Sequence, residues 1–226
     1  MKHFLPEFLG TFVLVFAGTG AIIVDHVSGG QISHLGVGLV FGLVVFAMIQ
    51  TFGGDGGAHF NPAVTLGLAA AGRFPWAHCA PCITAQLCGA LAASGVLRRL
   101  FPESPTLGET IPSGGIAGAF VLETIITTIL MLVILRVSGG SKEKGITAGL
   151  AIGATVALAA VFAGPVTGAS MNPARSLAPA MIGGRTLHLW IYPVSSVAGA
   201  FLAIPLCLAL RRNDPDPGNA PTSAPP

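Results

Sequence analysis

Charge is what this sequence has least of. Asp, Glu, Lys and Arg together make up 9% of 226 residues, against roughly a quarter in an ordinary soluble domain. A soluble fold of this size cannot cover its surface with so few charges, so the solvent of most of this chain is lipid. Cysteine is also scarce, with four copies. Cys79, Cys82, Cys88 and Cys207 all fall in or beside apolar stretches. Pro81 and that apolar context weaken Cys79-x-x-Cys82 as a zinc or redox pair, so ordinary membrane-buried thiols are expected. The net charge of +2 gives no basis for a nucleic-acid partner. His59, Asp55 and Glu123 match no metal or nucleophile spacing, so no enzyme activity, cofactor or metal is expected.

Apolar residues are abundant at 52%, and glycine occurs 31 times. Each membrane span needs roughly 20 residues. Stretches of that kind occur at Phe4–Val24, His34–Phe52, Ala80–Leu100, Ile116–Val137, Gly145–Ala163 and Leu189–Leu210. Six spans in one membrane domain, residues 1–212, are the expectation, with the polar, Pro-rich 213–226 as a disordered tail. The first stretch is read as a retained helix, because Pro6-Glu7 sits badly in a cleavable secretory signal. An even number of spans puts both termini on one side. Lys2, Arg73, Arg136, Lys142, Lys144, Arg211 and Arg212 collect there, against Arg98, Arg99 and Arg185 on the other, which favours cytoplasmic termini. Trp76 and Trp190 near span ends read as interfacial anchors, and Gly149-x-x-x-Gly153 as a helix contact. His26 and His34 are expected in a short outer loop.

Two segments repeat. Gly57-Ala-His-Phe-Asn-Pro-Ala-Val-Thr-Leu-Gly-Leu-Ala-Ala-Ala-Gly72 and Gly168-Ala-Ser-Met-Asn-Pro-Ala-Arg-Ser-Leu-Ala-Pro-Ala-Met-Ile-Gly183 both read G-A-x-x-N-P-A-x-[S/T]-L-x-x-A-x-x-G without a gap. The chain is therefore two homologous halves, about 4–100 and 116–210. Asn61 and Asn172 are N-caps, Pro62 and Pro173 open the first turn where a missing N–H costs nothing, and Gly72 and Gly183 are natural stops. Such a helix spans about 16 Å, half a bilayer core. Three spans per half invert one half against the other, so two half-helices enter from opposite faces and meet tip to tip. Broken helices in matching positions of inverted repeats mark a transport site. Each tip brings roughly half a positive charge, and each Asn carboxamide adds N–H donors. A water held by two donors turns its own hydrogens outward, which breaks a proton wire, while the positive field repels cations.

The paired motifs Asn61-Pro62-Ala63 and Asn172-Pro173-Ala174, with Arg175 three residues after the second Asn, resemble the aquaporin (major intrinsic protein) family over about Phe4 to Leu210. The resemblance implies an all-α membrane protein of six transmembrane helices plus two re-entrant half-helices, built as an inverted repeat. It also implies a homotetramer with one pore per subunit, in the cell (inner) membrane. It assigns Glu7 and Glu123 to hold the half-helix loops, with His59 in the usual place before Phe-Asn-Pro-Ala. It places a constriction at Phe41, Ala160, Ala169 and Arg175. Phe41 could equally be a packing or lipid-facing aromatic, and the two alanines helix-packing positions. Water-selective members tend to carry His where this chain has Ala160. Glycerol facilitators tend to have Trp, Gly and Phe at the three positions other than Arg, and Asp where this chain has Ser176. The small residue at Ala169 is similar to the nodulin-like branch. A passive channel for water and small uncharged solutes such as glycerol, urea and arsenous or boric acid is therefore expected, excluding protons and ions. A strictly water-selective channel and a formate–nitrite-type anion channel are the alternatives.

Overall fold

The computed structural model describes residues 4–55, 58–138 and 142–211. The expected tail at 213–226 lies outside them. Eight helices occur in chain order among the described residues: α1 (Phe4–Val27), α2 (Ser33–Phe52), α3 (Pro62–Ala70), α4 (Cys79–Leu100), α5 (Ile116–Val137), α6 (Lys142–Thr167), α7 (Pro173–Gly183) and α8 (Ile191–Arg211). Six are long and apolar enough to cross a membrane, and no strand occurs among the described residues. The remaining two, α3 with 9 residues and α7 with 11, are the half-helices.

Burial follows the logic of a lipid solvent. Large apolar side chains at one helical spacing face outward, as Leu35, Leu39 and Leu43 do on α2 and Val121, Ile125 and Ile129 on α5. The interior instead holds Thr65, Gln86, Ser94, Thr127, Ser195 and two carboxylates. Hydroxyls on the outer faces bond to the carbonyl four residues back, as Thr51 does to Ala47 O and Thr84 to Ala80 O. No donor is thereby presented to hydrocarbon.

The helices pair as a repeat would require. The most extensive contacts join α1 to α4, α5 to α8 and, across the halves, α2 to α6. Small residues permit this approach. A Cβ at Gly153 would lie 2.5 Å from Gly42 O, so the expected Gly149/Gly153 stripe does face another helix. Each half-helix packs mainly on the last span of the other half, α3 on α8 and α7 on α4. That exchange locks the two repeats together.

Several boundaries differ from expectation. The first half-helix is not among them: it ends at Ala70, and the expected Gly72 is the left-handed stop at φ +72. The second runs through Gly183, and Gly184 supplies the left-handed cap (φ 79). Gly183 is small for another reason: Glu109 Oε1 would lie 2.1 Å from its Cβ. His26 and His34 belong to the last turn of α1 and the first of α2 rather than to a loop. His34 Nε2 lies 2.6 Å from Val161 O and pins α2 to α6.

Candidate functional site: two half-helices tip to tip

Asn61 and Asn172 cap their helices in the same way. Each sits in extended backbone, and each Oδ1 accepts two amide hydrogens, from Ala63 and Val64 at 2.9 and 3.4 Å and from Ala174 and Arg175 at 3.0 and 3.4 Å. The prolines at the first helical position then leave no donor wasted. The carboxamide nitrogens cross over. Asn61 Nδ2 donates to Met171 O (2.7 Å) and Asn172 Nδ2 to Phe60 O (2.8 Å). Each half-helix tip is thus fastened to the loop that delivers the other. A carboxamide nitrogen carries two hydrogens, so these bonds leave one on each Asn unused.

The loops reach this point through unusual backbone. Ala58 and Phe60 before Asn61, and Ala169 and Met171 before Asn172, all have φ between 43 and 52°. For residues other than glycine this costs on the order of 1 kcal/mol or more each. Buried carboxylates hold them there. Glu7 accepts from His59 N (2.7 Å), Phe60 N (2.8 Å) and Gln86 Nε2 (2.7 Å). Glu123 accepts from Ser170 N (2.8 Å), Met171 N (3.0 Å) and Thr167 Oγ1 (2.7 Å).

One cavity of about 390 Å³ connects these parts, running from Gln50 and Ser138 past Asn61 and Asn172 to Arg175. Most of its lining residues are apolar, with Gln50, His59, Asn61, Ser138, Ser170, Asn172 and Arg175 among them as the polar ones. Phe41, Ala160, Ala169 and Arg175 all border it. Phe41, 8% exposed, is therefore not a lipid-facing aromatic. Its ring fills the space over Gly18, whose Cβ would lie 2.2 Å away, and carries the Arg175 guanidinium 4.9 Å from its centre. Arg175 is only 2% exposed. Nη1 donates to Gly108 O (2.7 Å), while Nε and Nη2 have no hydrogen-bond partner among the described residues. A fixed guanidinium with two unspent donors beside a narrow passage attracts an oxygen and repels a cation.

Sequence reasoning missed four contributors. Gly108 turns the α4–α5 connection back into the protein at φ +68, against Thr19, so that its carbonyl meets Arg175. Thr110 from the same segment donates to Ser176. Gln86 bridges Glu7 and Thr65. Tyr192 OH donates to Thr167 O (2.8 Å), tying α8 to the second loop. Gln86 carried the one usable signal, a lone amide inside an apolar span. Nothing local marks Gly108.

The same connection carries a titratable group. Glu109 lies against Gly183, and its carboxylate oxygens are buried without a hydrogen-bonding side chain. Burial pushes its carboxyl above the ordinary range, with the nearby Arg185 guanidinium pulling the other way. A folded-state value raised over the unfolded one favours the folded protein at low pH, and that benefit is lost as pH rises through the folded value. Glu109→Gln should therefore raise the thermal unfolding midpoint at pH 7 and leave it unchanged below the ordinary carboxylate range of about 4. Equal midpoints at both pH values would refute this.

Comparison with known proteins gives a consistent picture. The family model described as major intrinsic protein matches residues 1–206. Aquaporin NIP1-1 of Oryza sativa subsp. japonica is 46% identical over 201 residues, covering 88% of this chain and 71% of the relative. Nodulin-26 of Glycine max is 42% identical over 201 residues, covering 88% and 74%. The X-ray structure of the aquaglyceroporin from Plasmodium falciparum superposes with a TM-score of 0.83 at 28% identity, over 93% of this chain and 98% of that one. With membrane-length helices, half-helices capped by paired Asn residues and a continuous lined passage, the chain belongs to the major intrinsic protein family, as an integral membrane channel rather than an enzyme.

Proposed function

We propose that this channel conducts water together with small uncharged solutes, namely glycerol, urea and metalloid hydroxides such as arsenous or boric acid, and excludes protons and ions. In this reading Asn61, Pro62, Ala63, Asn172, Pro173 and Ala174 form the central motif. Phe41, Ala160, Ala169 and Arg175 form the selectivity filter. Glu7, Glu123 and His59 support the loops. Residues 1–212 act as one channel domain of two repeats. The chain works as a homotetramer in the cell membrane with both termini cytoplasmic. Arg73 supports that orientation, since it donates to Leu135 O in the last turn of α5 and so lies at the same end of the bundle as Arg136, on the side richer in Lys and Arg.

The observation that carries the solute reading is the make-up of the passage around Arg175. Of the three positions that join Arg175 in the proposed filter, two are Ala160 and Ala169; both line the cavity, and neither side chain carries a donor. A methyl where a water filter places an imidazole leaves the opening wider and less polar. The nodulin-like relatives and the aquaglyceroporin structure point the same way. The paired Asn caps, with the donors they aim between the loops, run against an anion channel of the formate–nitrite type.

Stopped-flow light scattering on proteoliposomes tests the reading. The wild type should pass both water and glycerol. Ala160→His should keep water flux and lower glycerol flux roughly tenfold, the discrimination that a few added heavy atoms give in a fitted pocket. Unchanged glycerol flux would remove Ala160 from the filter, and a wild type impermeable to every neutral solute would make the channel strictly water-selective.

A further inference from the structure

The two carboxylates that hold the loops sit in unlike surroundings. Gly89 of α4 and Gly199 of α8 align the halves. A Cβ at Gly89 would lie 2.3 Å from Phe8 O, and one at Gly199 2.4 Å from Thr124 O, the carbonyls that directly follow Glu7 and Glu123. In the register of the paired motifs His59 corresponds to Ser170, and in that of Gly89 and Gly199 Cys82 corresponds to Tyr192 and Gln86 to Ser196. The second half anchors its loop without an imidazole or a thiol. There the corresponding contacts, Ser170 Oγ with Ser176 Oγ and Tyr192 OH to Thr167 O, are made by hydroxyls, so supporting the first loop does not by itself require an imidazole and a thiol.

Those two side chains converge on Glu7. The candidate ligand atoms of Glu7, His59 and Cys82 all lie within 4.8 Å of one another, with Cys82 Sγ 3.9 Å from His59 Nδ1. Thr65 Oγ1 is 3.1 Å from the same nitrogen and 3.7 Å from the sulfur. Gln86 Nε2 donates to Glu7 Oε2 and Thr65 Oγ1 and lies 3.5 Å from Cys82 Sγ. Its own Oε1 is buried with no hydrogen-bond partner, so the cluster is polar beyond its own needs. Glu7 Oε1 accepts from His59 N, and a carboxylate oxygen can take a second partner.

One sulfur, one imidazole nitrogen and one carboxylate oxygen are the donors of a tetrahedral zinc-type ion, with bonds of about 2.0–2.3 Å. Such bonds place donors roughly 3–4 Å apart, so small side-chain rotations close the set. The set suits soft or borderline ions and not Mg²⁺ or Ca²⁺, which take about six or more oxygens. His59 borders the passage, which gives an ion its route in and a water molecule for the fourth position. We propose that Glu7, His59 and Cys82 bind a soft divalent cation of the zinc–cadmium class, and that an ion held there lowers water flux. Binding exchanges the Cys82 thiol proton for the metal and releases that proton to water, so affinity falls as pH is lowered. The site goes beyond the sequence expectation of ordinary thiols and no metal. It also stands apart from the solute range proposed above.

The test uses the purified full chain and Cd²⁺. Titration should show one saturable ion per chain with thiolate-to-cadmium charge-transfer absorption, and stopped-flow water flux should fall severalfold on loading. Cys82→Ser should abolish the absorption and the flux loss, while Cys79→Ser, Cys88→Ser and Cys207→Ser keep both. As a measurement independent of any variant, Cd²⁺ should protect Cys82 in the wild type from alkylation by a small maleimide, read by peptide mass spectrometry. No saturable absorption in the wild type, full absorption in Cys82→Ser, or alkylation of Cys82 unaffected by Cd²⁺ would overturn the site. Binding without a change in flux would overturn its control of the passage.

Discussion

Glu123→Leu is expected to yield almost no folded channel in the membrane. The carboxylate satisfies the amides of Ser170 and Met171 and the hydroxyl of Thr167, all of them buried. Leucine matches its bulk and accepts nothing. Each orphaned donor costs about 1–3 kcal/mol, so three reach on the order of 3–9 kcal/mol against a total stability of about 5–15 kcal/mol. The same carboxylate also holds Met171 directly, and Ala169 through Thr167, at positive φ, a strain that would no longer be opposed. Glu123→Gln keeps one acceptor oxygen and should retain part of the folded yield. Monodisperse protein recovered after solubilisation measures both variants. Wild-type recovery and water flux for Glu123→Leu would show that the loop holds itself.

Arg175→Ala is expected to open the passage to cations while preserving water flow. Arg175 is the one cation bordering the described cavity. A unit charge about 4 Å from a permeating ion opposes it by about 4 kcal/mol at an effective dielectric constant near 20. Removing that barrier should raise monovalent cation conductance by two to three orders of magnitude, each tenfold step being about 1.4 kcal/mol. Conductance should still stay well below water flow, because the half-helix tips keep their positive ends. Arg175→Lys keeps the charge but loses the planar fork that reaches Gly108 O and lies over Phe41. It should remain cation-tight and differ mainly in its neutral solutes. Planar-bilayer conductance separates these outcomes. If Arg175→Ala is as tight as the wild type, the exclusion resides elsewhere.

Much of this arrangement could be read before any coordinates, because it was written in local chemistry. Asn followed by Pro states a helix start, and its repetition 111 residues later states a second. Glu7 and Glu123 stood out because a carboxylate inside an apolar span has to be spent on something. The membrane spans agree with expectation to within a few residues at most ends. What could not be read was pairing across long sequence separations. The reciprocal bonds from Asn61 to Met171 O and from Asn172 to Phe60 O cross 110 and 112 residues. The support of Arg175 by Gly108 crosses 67. No local pattern encodes which carbonyl a side chain meets after the helices pack. The second glycine stop was misplaced by one residue for a related reason. Gly183 is small to admit Glu109 from another segment, and the left-handed residue is its neighbour Gly184. Cys82 reads in sequence as an ordinary membrane-buried thiol, and nothing local shows that its neighbours are His59 and Gln86.

The central physical claim concerns the remaining carboxamide hydrogens of Asn61 and Asn172. One hydrogen of each is committed to the opposing loop; the other is the donor proposed for the permeant, and the helix tips behind them add positive potential. A water at that point accepts from both and cannot hand a proton along the file. Water and proton fluxes measured side by side on the same wild-type proteoliposomes, the first by light scattering and the second by an internal pH dye under an imposed gradient, put this directly to the test. The account predicts rapid water flow with proton entry no faster than in protein-free vesicles. Proton flux that rises with the amount of channel, in step with water, would contradict it.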